Sequence, residues 1–290
     1  MRIRVLGSAA GGGLPQWNCS CPYCVAARTG RISPQTQSSI AISGDDRTWF
    51  LINASPDLAR QIEATPQLQP RPDSPRNSPI AGVLLTNADL DHALGVLLLR
   101  QQEKPLAIYA TEETRAALDW IDIVLNRFSG IDWRMIDLSR PDRLNRSPSR
   151  DWISLGGRIG FRAIELQKSV AFQFRDDVSG AIVVVAPAVG ELTVELREAI
   201  NSSGAVFIDG TFWNENELRA VRPGARSARE MNHLPINEGS LDFLRDSPVV
   251  RKIYTHINNT NPILTPGSRE RTQVEDAGIE IACDGMEIIL

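Results

Sequence analysis

The chain has 290 residues, 42% of them hydrophobic and 23% charged, with a formal net charge of -4. This length suits one large α/β domain spanning 1–290, made of two sheet halves whose boundary, if they are separate, falls near 140–151. The near-balanced charge argues against nucleic-acid or anionic-membrane partners, which need clustered positive surface, and no apolar run approaches the roughly 18 residues of a membrane span.

The opening segment "RIRVLG" reads as a strand running into the glycine-rich turn "GSAAGGG". Its apolar stretch is too short for a secretory leader, so the cytoplasm is the expected compartment. "SSIAIS" and "TWFLINA" read as strands joined by the turn residues "GDD". "PDLARQIEA" reads as a helix, with Ser55 as N-cap and Pro56 in the first helical position. Gln69 to Pro79 is a proline-rich loop. "IAGVLL" is a buried strand by its length and flanking turn residues, followed by helices in "HALGVLLLR" and in "ATEETRAALDWIDIVLNRF", the latter starting at Thr111 or Thr114. Arg140 to Asp151 is polar and carries two prolines, the mark of a surface loop or lobe boundary. "AIVVVAP" and "AVFIDGT" are a further pair of buried strands, separated by a helix in "ELTVELREAINSSG". "RKIYTHI" supplies a strand ending in a histidine, and "EIIL" a last short strand. This order predicts two sheets with helices outside, an α/β sandwich.

Polar chemistry gathers just past strand ends. In "TNADLDH", Asp89, Asp91 and His92 follow "IAGVLL" directly. Alternate residues on an extended loop point the same way, so Asp89 and Asp91 can face one ion while His92 closes from the helix end. That set suits iron, manganese or zinc. The competing reading makes Asp89 or Asp91 a helix cap and His92 a first-turn side chain. Asp209 after "AVFI" and His256 after "RKIYT" are each the first strongly polar residue beyond a buried strand, where ligands collect in α/β folds. His233, in "EMNHLPI", is a candidate general acid or base, or else a hydrogen-bonded surface histidine.

Three of the four cysteines, Cys19, Cys21 and Cys24, crowd into "CSCPYC", where Pro22 bends the chain so that the sulfurs can converge. In a reducing compartment this favours a tetrahedral structural zinc needing one more ligand over free thiols or a Cys21–Cys24 redox pair. Cys283 is the fourth ligand that thiolate chemistry suggests. The "GSAAGGGLPQWN" segment lacks a P-loop lysine and dinucleotide spacing, so Gly11 to Gly13 read as a flexible turn near an active site. Four arginines lie within "RAVRPGARSARE", Arg219 to Glu230: a solvated loop, or a clamp for an anion.

Taken together, "GSAAGGGLPQWNCSCPYC", "QTQSSIA", "NASPDL", "TNADLDH", "DGT", "MNHLPI" and "THINNTNPIL" resemble the pyrroloquinoline quinone biosynthesis protein B family of the metallo-β-lactamase superfamily, from the first strand to the closing "DGMEI". The resemblance implies a four-layer αβ/βα sandwich. Hydrolases of the superfamily carry a His-x-His-x-Asp-His signature for two metals. Here Asn87 and Asp89 stand at the two leading histidine positions, and only Asp91 and His92 match. Where those hydrolases are expected to place a bridging aspartate, in "VVVAPAVGE", this chain has Pro187. The resemblance therefore implies a single metal at Asp91, His92 and His256, with Asp89 or Asp209 assisting. Iron is the expected ion, with zinc or manganese as the alternatives. The implied reaction is dioxygen-dependent hydroxylation of the tyrosine ring of a Glu-Tyr-derived precursor, with His233 as general base or hydrogen-bond partner of the phenol. A metal-dependent hydrolase of phosphoesters or amides, and a non-catalytic carrier of the quinone or its precursor, are the rival readings. Related phosphodiesterases complete the zinc site with a histidine at the place of Asn259, so Asn259 is the fourth ligand by resemblance. The expected partners are a small peptide or amino-acid-derived substrate and dioxygen, with no nucleic acid and no membrane; a homodimer is compatible with the chain. The stretch between "FRAIELQK" and "AIVVV" is shorter than in longer family members.

Overall fold

A computed structural model describes residues 1–138 and 152–290; the loop read at Arg140 to Asp151, and with it the expected boundary, lies outside the described residues. The first sheet contains β1 (Arg2–Gly7), β2 (Ser39–Ser43), β3 (Trp49–Ile52), β4 (Ile80–Leu84), β5 (Leu106–Ala110) and β6 (Ile131–Met135). The second contains β7 (Ile153–Gly156), β8 (Ile159–Glu165), β9 (Val170–Asp176), β10 (Ile182–Ala186), β11 (Ala205–Asp209), β12 (Arg251–Thr255) and β13 (Glu280–Ile281). The final strand, β14 (Glu287–Ile289), returns to the first sheet beside β1, so the orders are β14-β1-β2-β3-β4-β5-β6 and β13-β12-β11-β10-β9-β8-β7.

Strand alternation builds the layers. In β3, Phe50 and Ile52 point between the sheets while Trp49 and Leu51 point outward, and β2 pairs with it in the register that puts Ile40 opposite Ile52 and Ile42 opposite Phe50. In β11 and β12, Phe207 and Ile253 face inward, Val206 and Tyr254 outward. Both faces are therefore apolar, which is why these strands read as continuous hydrophobic runs. Between the sheets Phe161, Phe172 and Phe174 cluster with ring centroids 5.9–6.4 Å apart; truncating one to Ala should cost about 3–5 kcal/mol.

Helices cover the outer faces: α2 (Leu58–Glu63), α3 (Leu90–Ala93), α4 (Glu112–Ala117) and α5 (Asp119–Leu125) on the first sheet's side, α1 (Pro22–Arg28), α6 (Val194–Asn201), α8 (Ser240–Asp246) and α9 (Arg269–Asp276) on the second's, with the short α7 (Glu217–Val221) at the rim. The result is a four-layer αβ/βα sandwich. Among the described residues no helix is long and apolar enough to cross a membrane.

Local departures have local causes. α2 begins at Leu58 rather than Pro56: the backbone at Ala54 is tied to His92 and Gly95, and Pro56 and Asp57 form a turn in which the Ser55 hydroxyl accepts from Asp57 N and donates to Gln61. "HALGVLLLR" gives only the single turn of α3 followed by a 3-10 segment to Leu99. Gly95 is pressed so closely on Ser55 that a Cβ there would lie 2.1 Å from its carbonyl oxygen. The long helix expected after Thr111 breaks at the buried Leu118 into α4 and α5, with Thr111 as the true N-cap. Strands β5 to β9 and β13 carry no strong alternation signal: β6 is half-exposed, β13 is two residues long, and β9 buries Gln173, whose amide donates to Ala199 O and Ser203 Oγ.

Candidate functional site

The strand ends β4, β11 and β12 converge on one rim. His256 directly follows β12 and adopts φ 56°, a left-handed conformation unusual for a residue with a Cβ. Asn232, just before His233, does the same at φ 66°. Such backbone outliers persist where surrounding contacts over-determine them. Here they set the rings of His92 and His256 edge to face at 5.0 Å and stack those of His233 and His256 at 5.4 Å. Two sets of ligand atoms, each within 4.8 Å of one another, share His256: Asp91, His92 and His256, and Asp209, His233 and His256.

Hydrogen bonding separates these two sets. Asn87 Nδ2 donates to Asp89 at 2.7 Å, which orients its carboxamide so that Oδ1 must accept from His92 Nδ1 at 2.6 Å. His92 therefore carries its proton on Nδ1, and its buried Nε2 is a bare lone pair with no partner. Thr211 Oγ1 spends its proton on oxygen, at Asp209 Oδ1 (2.6 Å) or the His256 carbonyl (2.9 Å), so its 2.8 Å contact with His256 Nδ1 makes that nitrogen the donor. His256 Nε2 is then also a lone pair, yet it faces Asp91 Oδ2 at 3.1 Å, with His92 Nε2 3.8 Å from the same oxygen. Three acceptors converging in a buried pocket require a proton or a cation among them, and one carboxylate with two imidazoles fits a divalent metal.

Burial opposes ionisation of Asp91, but His92 and His256 outweigh it and hold the carboxyl well below the usual carboxylate range. Burial pushes His92 down to about 4, so it is neutral near pH 7. Asp209 differs: its oxygens accept from Val189 N (2.7 Å), Thr211 N (2.9 Å), Thr211 Oγ1 and His233 Nδ1 (2.6 Å), leaving no unsatisfied lone pair aimed at an ion. Burial disfavours the His233 imidazolium, yet Asp209 prevails and raises its pKa. His233 thus holds a proton on Nδ1 and turns its other nitrogen toward the cavity.

Some expected positions need correction. Asp89 is exposed and lies outside both ligand sets, because Asn87 holds it. Asp209, an expected candidate, closes β11 at the site, and Pro187 follows β10. Residues that position the ligands escaped sequence reasoning. Thr86, 3.2 Å from His92 Nδ1, is locked by Asn53, whose φ of 61° is a left-handed conformation that asparagine tolerates. Gly11 abuts Asp91, its ideal Cβ lying 3.3 Å from Oδ2.

The thiols form a separate centre. Cys21 caps α1 and its Sγ accepts from Cys24 N, while Pro22 opens the helix. Asn259 Nδ2 lies 3.2–3.8 Å from the sulfurs of Cys19, Cys21 and Cys24, and in metal coordination the carboxamide oxygen would be the donor. Burial pushes the Cys21 thiol up to about 11. Cys283 is exposed and outside this cluster; its neighbour Asp284 accepts instead from Ser8 and Thr36, which turns that segment toward the first sheet.

A cavity of about 1840 Å³ opens over the carboxylate–imidazole centre, lined by Asp91, His233 and His256 together with residues from α4, the β8–β9 turn and the segment after α7. It is large enough for a small peptide.

The family model of the β-lactamase superfamily domain matches residues 48–257. Coenzyme PQQ synthesis protein B of Azoarcus sp. (strain BH72) is 36% identical, covering 100% of each chain, and the protein of the same name from Cupriavidus necator is 38% identical over 99% of each. The solved structure of Zn(2+)-bound PqqB from Methylobacterium extorquens is similar at a TM-score of 0.88 and 35% identity, covering 100% of both chains.

Proposed function

The chain belongs to the coenzyme PQQ synthesis protein B family within the β-lactamase superfamily, and from that premise we propose that it hydroxylates the tyrosine ring of a Glu-Tyr-derived precursor with one divalent metal, iron, together with dioxygen and a two-electron reductant, one oxygen atom entering the ring and the other leaving as water. Its place in the synthesis of the quinone cofactor follows from the family. The observation that carries the reaction is the convergence of Asp91 Oδ2, His92 Nε2 and His256 Nε2, three acceptors without a donor among them, on the floor of the cavity. Iron held there would supply dioxygen activation through the coordination positions the protein leaves open. His233 accepts or shares the proton of the phenol, with Asp209 steadying it from behind. Phe212 meets the edge of the His233 ring at 5.8 Å and helps to fix its plane.

A second, structural metal, zinc, belongs at Cys19, Cys21 and Cys24 with Asn259, and we place the protein in the cytoplasm, where thiols stay reduced. A hydrolase working with two metals is disfavoured because Asn87 and Asp89 are tied to one another and Asp209 is saturated by donors.

The test is to mix the protein anaerobically with ferrous iron, ascorbate as two-electron reductant and a tyrosine-containing dipeptide, then admit oxygen-18 gas. A catechol product labelled from the gas supports the reading. Cleavage that needs no oxygen would instead establish the hydrolase, and quinone binding that survives Asp91→Ala and His92→Ala the carrier.

A further inference from the structure

Resting on that reading of the site and deepening it, we infer that Arg222 and Arg226 form the carboxylate-recognition end of the cavity and set which peptide it accepts. The arginine-rich segment divides in two. Arg219 pairs with Glu230 at 2.9 Å inside the segment, and Arg229 with Glu215 and Glu238, which flank it, at 3.4 and 3.0 Å, so these two cations are neutralised locally. Arg222 and Arg226 have no side-chain partner among the described residues, and both line the same cavity as His233 and His256. Arginines that merely solvate a loop would be expected to pair with its acids as Arg219 and Arg229 do; these two are left free where a ligand can reach them.

The backbone that presents them is fixed. Ala225, Ser227 and Ala228 are buried, while Arg226 between them stands out. Ala225 N donates to Arg222 O, Arg219 Nε to Ala225 O, and Ser227 N to Glu230 Oε2 at 2.6 Å. Ala228 O in turn accepts from His233 N at 2.9 Å, so one pinned segment positions both the free guanidiniums and the imidazole over the centre.

Charge then orients the ligand. The Arg222–Arg226 wall attracts an anionic group, against the negative charge of the whole chain, and lies in the same cavity as His233 and His256. A peptide with a carboxylate and an aromatic ring therefore lies with its carboxylate at the arginines and its uncharged ring over the metal ligands. Guanidiniums match carboxylates through paired N–H donors, which a neutral amide satisfies poorly.

The test is calorimetric binding to the protein as purified, without oxygen so that nothing turns over, using glutamyl-tyrosine and its carboxylate-free counterpart glutaminyl-tyrosine amide, both with the α-amino group acetylated. Wild type should favour the anionic dipeptide about tenfold, the scale of a charge-assisted hydrogen bond. R222Q and R226Q should each reduce that preference and R222Q/R226Q abolish it, while R229Q, which removes an equal but already paired charge, should keep it. A preference that survives R222Q/R226Q, that falls equally in R229Q, or that is absent in wild type overturns the assignment. Absence of a catechol product would strike the hydroxylation reading and leave this binding result standing.

Discussion

The thiol centre and the carboxylate–imidazole centre share two loops and are put to opposite uses, although Asp91 and His92 come from a third, after β4. The turn after β1 presses Gly11 against Asp91 and goes on to carry Cys19, Cys21 and Cys24; the loop after β12 gives His256 to one centre and Asn259 to the other. A bridge between Ala9 and Ile257 clamps the two loops together. At the thiols, Cys24 is fully buried and its sulfur packs among Ala27, Ile32 and Ile263 in the outer core. At the other centre the ligand atoms lie on the floor of a cavity whose edge also reaches Cys19, Cys21 and Asn259. A closed set of soft ligands holds the fold together, whereas an open set of mixed ligands is free to bind something else. Stability and turnover should therefore respond to different substitutions.

The largest effect expected is Cys24→Ser. Losing a structural metal in an outer core ranks with the severe single substitutions, about 4 kcal/mol, which lowers the melting midpoint by roughly 10 °C in a domain of this size. Bound zinc, measured by emission spectroscopy, should fall with it. A variant that loses zinc and melts normally would show that the thiol centre has no structural role.

His92→Ala should do the reverse. Even outer partners of a metal ligand are worth 10- to 100-fold, so removing the ligand itself should cut turnover by more than about a hundredfold, at least about 2.7 kcal/mol of transition-state stabilisation. Zinc at the cysteines should stay, and the melting midpoint should fall less than in Cys24→Ser. Comparable damage to stability in both variants would erase the distinction between the two centres.

Glu217 stands in the wall between them and ought to make that wall sensitive to pH. It is buried, its oxygens accepting from Trp213 N and Thr260 Oγ1 at 2.6 Å each, and burial pushes its pKa up to about 7 from the ordinary 4.5. A raised folded pKa means that the fold favours the protonated carboxyl. Its contribution is complete below pH 4.5 and is lost as pH rises through 7, on the order of 2 kcal/mol between pH 5 and pH 8. Urea unfolding at the two pH values should show Glu217→Gln flattening this slope. An equal slope in both proteins removes Glu217 from the account.

How far the sequence revealed these centres follows from which signals are local. Asp91, His92, Asp209 and His256 stand out because each lies just beyond an apolar run, and three clustered cysteines need no fold to be noticed. What stayed hidden is pairing between distant segments. The thiols and Asn259 meet only because β1 and β12 bring their loops together, and Cys283, the better ligand by chemistry alone, is turned away by Asp284. Thr211 and Asn53 act through hydrogen bonds that fix a tautomer or a loop, and neither residue type advertises that in one dimension. β8 and β9 were equally faint despite their seven residues each, because they form an antiparallel pair with buried polar residues such as Gln173 that interrupt a continuous apolar run.

Asn87 offers the smallest effect and the sharpest probe of the open centre. It stands where hydrolases of the superfamily carry a histidine, yet here it bridges His92 Nδ1 at 2.6 Å and Asp89 at 2.7 Å, keeping one ring oriented and one carboxylate out of the ligand set. Removing it in Asn87→Ala deprives His92 of the acceptor that fixes its tautomer and releases Asp89 toward the cavity. Iron affinity should fall about tenfold, the lower end expected for an outer partner of a metal ligand, with zinc at the cysteines unchanged. Asn87→Asp keeps an acceptor for His92 but sets a second carboxylate beside Asp89. Iron should then bind at least as well as in wild type, because added negative charge favours a cation, and the pH dependence of its binding should shift as the two carboxylates compete for a proton. If both variants weakened iron alike, orientation of His92 would not be what Asn87 provides, and its hydrogen bond to the ring would count for no more than packing.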